Sequence, residues 1–99
     1  MKLWIDDVRP APEGYVWCKS VNGAICILSA YNYVSAKIEL IDIDHDAGDY
    51  AYDGGDYIKL LDWLEETGRN YPIRIHSQNS VGIINMRRII QRNGWKEVF

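Results

Sequence analysis

The run from Ile38 to Asp44 constrains the fold of this chain more than any other feature. Its aliphatic residues are Ile38, Leu40, Ile41 and Ile43, and its last residue, Asp44, begins an Asp-His-Asp triplet. A strand this apolar is typical of a parallel sheet that is covered on both faces, because a strand with one wet face alternates apolar and polar residues. We therefore expect a central parallel strand whose carboxyl end delivers Asp44, His45 and Asp46.

Further strands and helices alternate along the chain. The sequence predicts strands at Lys2–Ile5, Tyr15–Lys19, Pro72–His76 and Lys96–Phe99. Amphipathic spacing predicts helices that follow a Ser20 cap, span Asp56–Thr67, and run from Asn79 or Ser80 to Gly94. The last helix is expected to point Val81, Ile84 and Ile90 inward and Arg87, Arg88 and Arg92 outward. This order predicts an α/β fold of flavodoxin or receiver-like type, a three-layer sandwich with a mostly parallel sheet of four to five strands.

The first connection departs from that pattern. A parallel crossover usually contains a helix, but the segment between the first two strands holds Pro10, Pro12 and Gly14 and predicts a loop. Fully extended, this segment reaches about 26 Å, which is enough to return along a short strand. We therefore predict parallel strands with the first crossover helix missing or vestigial, and Trp4, Tyr15 or Trp17 shielding the open face.

Composition limits the classes of function. Ninety-nine residues, 47% of them hydrophobic, fit a single domain spanning residues 1–99. A formal net charge of −3 predicts no broad binding of nucleic acid. Cys18 and Cys26 match neither a disulfide framework nor a zinc pattern, and no signal peptide or membrane span is evident. We expect a cytoplasmic protein with no membrane association.

Acidic residues concentrate where two predicted strands end. Asp6 and Asp7 follow the first strand, and Asp44 and Asp46 follow the third. In an open parallel sheet, ligands bind beyond the carboxyl ends of the strands, so these acids are expected to converge there. We predict that the four aspartates bind a divalent cation, with Mg²⁺ or Mn²⁺ favoured by carboxylate ligands. The alternative is a solvated acidic loop that binds no metal.

Histidines and anion-binding groups are expected at the same edge. His45 and His76 each lie beside a strand end, where they would serve as general acid and base, as metal ligands, or as structural histidines. Ser77 is the third candidate catalytic residue. Arg9 has the planar fork that suits phosphate, and Asn79 opens a helix whose N–H groups favour an anion.

Three motifs resemble the family of cyclic-phosphate-processing receiver-like domains. They are Asp6-Asp7-Val8-Arg9-Pro10 with Pro12, then Ile43-Asp44-His45-Asp46-Ala47-Gly48, then Ile75-His76-Ser77-Gln78-Asn79 with Gly82 and Met86. The resemblance implies a degenerate response-regulator receiver that processes cyclic or otherwise phosphorylated nucleotides in bacterial or phage signalling. It also implies functional roles for Asp7, Arg9, Asp44, His45, Asp46, His76, Ser77 and Asn79.

Departures from a true receiver argue against ordinary phosphorelay signalling. Lys96 lies at the start of the last predicted strand, whereas a receiver has lysine at the end of it, and no helix is predicted after that strand within these 99 residues. The leading hypothesis is metal-dependent hydrolysis of a cyclic phosphate or phosphoester on a small nucleotide-like ligand. The alternatives are a non-catalytic receiver-like module that signals to a protein partner, with Asp44 as phosphoryl acceptor or ligand-binding residue, and a purely structural interaction domain.

Overall fold

A computed structural model describes residues 1–31 and 38–99. Its strands are β1 (Lys2–Ile5), β2 (Tyr15–Cys18), β3 (Leu40–Ile43) and β4 (Ile73–Ile75), and its helices are α1 (Val21–Ala30), α2 (Ile58–Glu66) and α3 (Ser80–Asn93), with a 3₁₀ helix at Gly48–Tyr50. The strands form one parallel sheet in the order β2-β1-β3-β4. The predicted receiver-like α/β fold is confirmed.

The predicted fifth strand is reduced to a single parallel bridge between Glu97 and Ile73. Two backbone bonds hold it, from Ile73 N to Lys96 O at 2.9 Å and from Val98 N to Ile73 O at 2.8 Å. The sheet therefore has four strands, with the carboxyl-terminal segment attached to the edge of β4.

All three helices lie on one face of the sheet. The chain moves in one direction across the sheet from β2 to β3, to β4 and to Glu97, and right-handed crossovers then place every helix on the same side. α2 contacts both α1 and α3, as this arrangement requires. The side chains beneath them are fully buried: Leu3, Ile5, Ile41, Ile43 and Ile73. None of the described helices is long and apolar enough to cross a lipid bilayer.

The opposite face of the sheet is covered by the connection from β1 to β2, which contains no helix. Trp4 and Trp17 are paired on this face. The Trp4 indole N–H donates to Arg9 O at 2.8 Å, and the Trp17 indole N–H donates to Asp6 O at 2.7 Å. The prediction that the first crossover lacks a helix is thus confirmed. A loop that is hydrogen-bonded to two tryptophans forms the layer on this side of the sheet.

The helix boundaries follow local signals in the sequence. Ser20 and Asn79 cap α1 and α3, each accepting a hydrogen bond from the backbone N–H three residues later. Gly94 ends α3 in the left-handed conformation, with φ of 67°.

The predicted inward face of α3 is partly wrong. Val81 and Ile84 are 68% and 53% exposed, and only Ile90 of the three expected residues is buried. A second stripe at helical spacing faces the interior instead, formed by Gly82, Met86, Ile89 and Ile90.

Candidate functional site

Three reactive side chains directly follow adjacent strands at the carboxyl edge of the sheet. Asp6 follows β1, Asp44 follows β3 and His76 follows β4. The backbone ladder extends to them, since Asp44 N donates to Ile5 O and His76 N donates to Ile43 O, both at 2.9 Å. This register of the strands brings Asp6, Asp44 and His76 together although they lie far apart in the sequence.

The ring of His76 lies between two buried aspartates. Its Nε2 is 2.9 Å from Asp6 Oδ2, and its Nδ1 is 2.6 Å from Asp42 Oδ1. The ring also stacks on Trp4, with centroids 3.8 Å apart and planes within 4°. Asp42 is held on its other oxygen by Arg74 Nη1 at 3.2 Å. Each contact fixes the orientation of the imidazole.

The Asp6 carboxylate is fixed independently of His76. Its Oδ1 accepts hydrogen bonds from the backbone N–H groups of Val8 and Arg9, at 3.0 and 2.9 Å. Burial alone would raise the pKa of Asp6, but these N–H groups, together with His76, hold it below its usual value. Asp6 therefore remains an anion in the folded protein at neutral pH.

Asp6, Asp44 and His76 form a candidate metal centre. One ligand atom from each can be chosen so that all lie within 4.8 Å of one another. The donor set of two carboxylates and one imidazole fits a divalent cation. Asp42 strengthens this fit, because a histidine that binds metal through one nitrogen usually donates the other N–H to a carboxylate. His76, for which general acid–base, metal-binding and structural roles are all predicted, thus belongs to this candidate set.

Asp7 lies next to this group and faces the 3₁₀ helix. A Cβ atom added at Gly48, which has φ of 53°, would collide with Asp7 Oδ2, so glycine lets the backbone approach the carboxylate. The pKa of Asp7 is raised by burial and by the charges of Asp6, Asp44 and Asp49. The carboxylate therefore lies in a region of net negative charge that a cation would neutralise.

His45 and Asp46 belong to a second cluster, at the start of α3. His45 Nδ1 is 2.9 Å from Asp46 Oδ1, and the amide nitrogen of Asn79 lies 3.4 Å from His45 Nδ1 and from both Asp46 oxygens. The hydrogen bond from His45 lowers the pKa of Asp46. The ring rests against Gly82, where a Cβ atom would lie 2.5 Å from His45 Cγ and Cδ2. Asp46, predicted as a metal ligand, has its carboxylate against the His45 ring, and its role in metal binding stays a prediction.

The remaining predicted residues have local partners. Ser77 Oγ accepts a hydrogen bond from Asn79 N at 3.1 Å, and Asn79 Oδ1 is occupied by Gly82 N at 2.9 Å. The Arg9 side chain is 45% exposed, with Nε 3.9 Å from Asp6 Oδ2. Arg9 therefore combines a long ion pair to Asp6 with a side chain that solvent can reach, whereas Ser77 and the Asn79 carbonyl serve the turn that begins α3.

Asp42 is the residue that sequence reasoning missed. It is fully buried and joins His76 to Arg74. The signal was present: an aspartate between Ile41 and Ile43 in a buried strand requires a partner, because a buried charge is costly unless it is paired.

A scan against family models matched residues 1–92 to the cyclic-phosphate processing receiver domain. Searches of curated proteins and of solved structures gave no match. The matched region spans the four strands, most of α3 and every residue of the two clusters described above. The chain therefore belongs to the family of cyclic-phosphate processing receiver domains.

Proposed function

We propose that this protein is a divalent-metal-dependent phosphoesterase that hydrolyses a cyclic phosphate or phosphoester of a nucleotide-like ligand. The observation that carries the proposal is the convergence of Asp6, Asp44 and His76 ligand atoms within 4.8 Å, with Asp42 behind His76. The name of the family supports the cyclic phosphate as substrate class.

The donor set suits Mn²⁺ at least as well as Mg²⁺, since one ligand is an imidazole nitrogen. When bound, such an ion polarises a phosphoryl oxygen and lowers the pKa of water. Asp42 lies against Nδ1 of His76, so Nε2 is the nitrogen that would bind the ion, in exchange for its present hydrogen bond to Asp6 Oδ2. The buried Asp6 carboxylate needs no rearrangement, because backbone N–H groups already fix it.

The other residues provide phosphate binding and proton transfer. Arg9 would bind a non-bridging phosphate oxygen with its guanidinium group. In hydrolysis, the water oxygen bonds to phosphorus while one ring P–O bond breaks and the departing oxygen takes a proton. His45 would deliver that proton from Nε2, because Nδ1 is held by Asp46, and the proton given up by the attacking water would restore His45.

The test combines metal binding with turnover. The protein is incubated with 2′,3′-cyclic and 3′,5′-cyclic nucleotides and Mg²⁺ or Mn²⁺, and the product is followed by phosphorus NMR. Asp44→Asn and His76→Asn should abolish turnover and weaken Mn²⁺ binding in calorimetry. Asp62→Asn is the matched control, since Asp62 is an exposed residue of α2. No turnover with any metal and substrate, or turnover that survives both site substitutions, contradicts the proposal.

A non-catalytic receiver-like module is the second candidate. One Asp44 oxygen accepts a hydrogen bond from the backbone N–H of His45 at 2.7 Å. Within the described residues, no side chain makes a hydrogen bond or ion pair with this carboxylate. An aspartate in that state is available to accept a phosphoryl group. Acetyl phosphate treatment followed by intact-mass measurement separates the two, because only this candidate predicts a stable adduct that Asp44→Asn removes.

A further inference from the structure

We propose that Lys19 is a phosphate-binding residue at the carboxyl edge of the sheet. The inference rests on the proposed function insofar as that function brings a phosphate group to the site. Lys19 directly follows β2, at the same edge of the sheet as Asp6 and Asp44.

Two aromatic rings fix the position of the Lys19 ammonium. Nζ lies 4.5 Å from the centre of the Trp17 ring and 5.9 Å from that of Tyr50. Trp17 is itself attached to the site, because its indole N–H donates to Asp6 O at 2.7 Å. One aromatic side chain therefore connects the ammonium group to the residue that holds the candidate metal centre.

The contact with Tyr50 positions Lys19 on the side of Asp7. Tyr50 belongs to the 3₁₀ helix whose Gly48 abuts the Asp7 carboxylate and whose Asp49 contributes to the raised pKa of Asp7. The Lys19 carbonyl accepts the hydroxyl of the buried Tyr57 at 2.7 Å, which anchors the backbone at this point. Lys19 thus follows β2, and Arg9 follows the adjacent strand β1.

Lys19 forms no ion pair with the residues at 1–31 and 38–99. Arg74, Arg87 and Arg92 all form ion pairs with carboxylates. Among the residues that the structure describes, no carboxylate lies within 4 Å of Lys19 Nζ, although aspartates are abundant nearby. A lysine held against aromatic faces keeps its N–H donors available to an anion.

The positive charge of Lys19 would offset the repulsion between a phosphate group and the aspartates of the site. A phosphate that approaches Asp6, Asp7 and Asp44 is repelled unless cations compensate. A divalent ion offsets part of that charge, and Arg9 and Lys19 would flank the phosphate from β1 and β2. The same reasoning predicts that removing the Lys19 charge affects the two affinities differently. The affinity for phosphate should fall, whereas the affinity for the metal ion should stay the same or rise.

The experiment compares Lys19→Gln with Lys59→Gln, which makes the same charge change on an exposed residue of α2. Affinities for Mn²⁺ alone and for inorganic phosphate in the presence of Mn²⁺ are measured by calorimetry at low salt. Lys19→Gln should bind phosphate about fivefold more weakly, as expected for an exposed ion pair. Its Mn²⁺ affinity should be equal to or higher than that of the wild type, Lys19→Arg should retain phosphate binding, and Lys59→Gln should change neither affinity.

Unchanged phosphate affinity in Lys19→Gln overturns the inference, as does an equal loss of both affinities, which would indicate a structural role. A wild-type protein that binds no phosphate with Mn²⁺ present overturns it as well. If phosphate binds and depends on Lys19 while no cyclic nucleotide is hydrolysed, the phosphoesterase proposal fails and the Lys19 subsite stands.

Discussion

Gly82 is expected to tolerate no side chain, even though it lies in a regular helix. It is the third residue of α3, and Gly23 is the third residue of α1. In both helices the glycine N–H donates to the side chain of the N-cap residue. The two glycines differ in what a Cβ atom would meet: the Ser20 Oγ at 3.1 Å for Gly23, and the His45 ring at 2.5 Å for Gly82.

These distances set the expected magnitudes. Alanine in place of glycine stabilises a helix by up to about 1 kcal/mol. At Gly82, a contact of 2.5 Å must open by about 1 Å to reach ordinary carbon separation. Overpacking of that kind costs about 1–3 kcal/mol. Gly82→Ala should therefore be less stable than Gly23→Ala by about 1–3 kcal/mol, or at least ~4 °C in Tm for a domain of this size.

The assay measures unfolding in urea and by heat for both variants, together with the imidazole NMR signals. His45 should shift in Gly82→Ala and stay in place in Gly23→Ala, because only the first substitution pushes the ring away from Asp46 and Asn79. A 1 Å displacement of a catalytic group lowers a rate by about 100-fold, so activity should fall in Gly82→Ala alone. Equal stability of the two variants, with His45 signals unchanged, would refute the reasoning.

Three further predictions follow from the buried contacts. Asp42→Asn keeps the shape of the side chain but weakens its hold on His76, so calorimetry should show Mn²⁺ binding weakened about 10- to 100-fold; unchanged affinity would contradict the role of Asp42. The pKa of Asp7 is raised in the folded protein, so its ionisation opposes folding as pH rises through that value. Asp7→Asn should therefore stabilise the metal-free protein at pH 7, and urea titrations below about pH 4 should show the difference disappear. Tyr57→Phe removes the bond to the Lys19 carbonyl and should cost about 1–2 kcal/mol in urea unfolding; a neutral result would mean that the carbonyl finds another donor.

The convergence of the strand ends could be predicted from the sequence because it depends on topology alone. Parallel strands place their carboxyl ends at one edge, so Asp6, Asp44 and His76 were expected at that edge, and the strand order β1-β3-β4 makes them neighbours. The pairing of His76 with Asp42 depends on register as well. Asp42 is aligned with Arg74 across β3 and β4, and with Trp4 across β3 and β1, and neither alignment can be read from the separate segments.

The orientation of α3 shows why periodicity alone was insufficient. Two apolar stripes compete on this helix, one containing Val81 and Ile84, the other Met86 and Ile89. The second is buried because Gly82 lies on it and must face His45, a contact between segments 37 positions apart. A close approach of that kind selects the face of the helix, and hydrophobicity by itself does not distinguish the two stripes.

The missing crossover helix and the candidate site are parts of the same arrangement. Successive side chains of a strand alternate between faces, so Asp6 follows Trp4 on the face that lacks helices, Asp44 follows Asp42, and His76 follows Arg74. The His76 ring lies flat on Trp4 at 3.8 Å and occupies the space that side chains of a packed helix would need. A helix there would also bury the guanidinium of Arg74, which is now half-exposed. The indole N–H groups of Trp4 and Trp17 donate to backbone carbonyls of the loop, and backbone N–H groups of the same loop fix Asp6. With a loop in place of the helix, this face of the sheet loses the apolar packing of a helix. It gains the backbone hydrogen bonds that hold Asp6 in position beside His76.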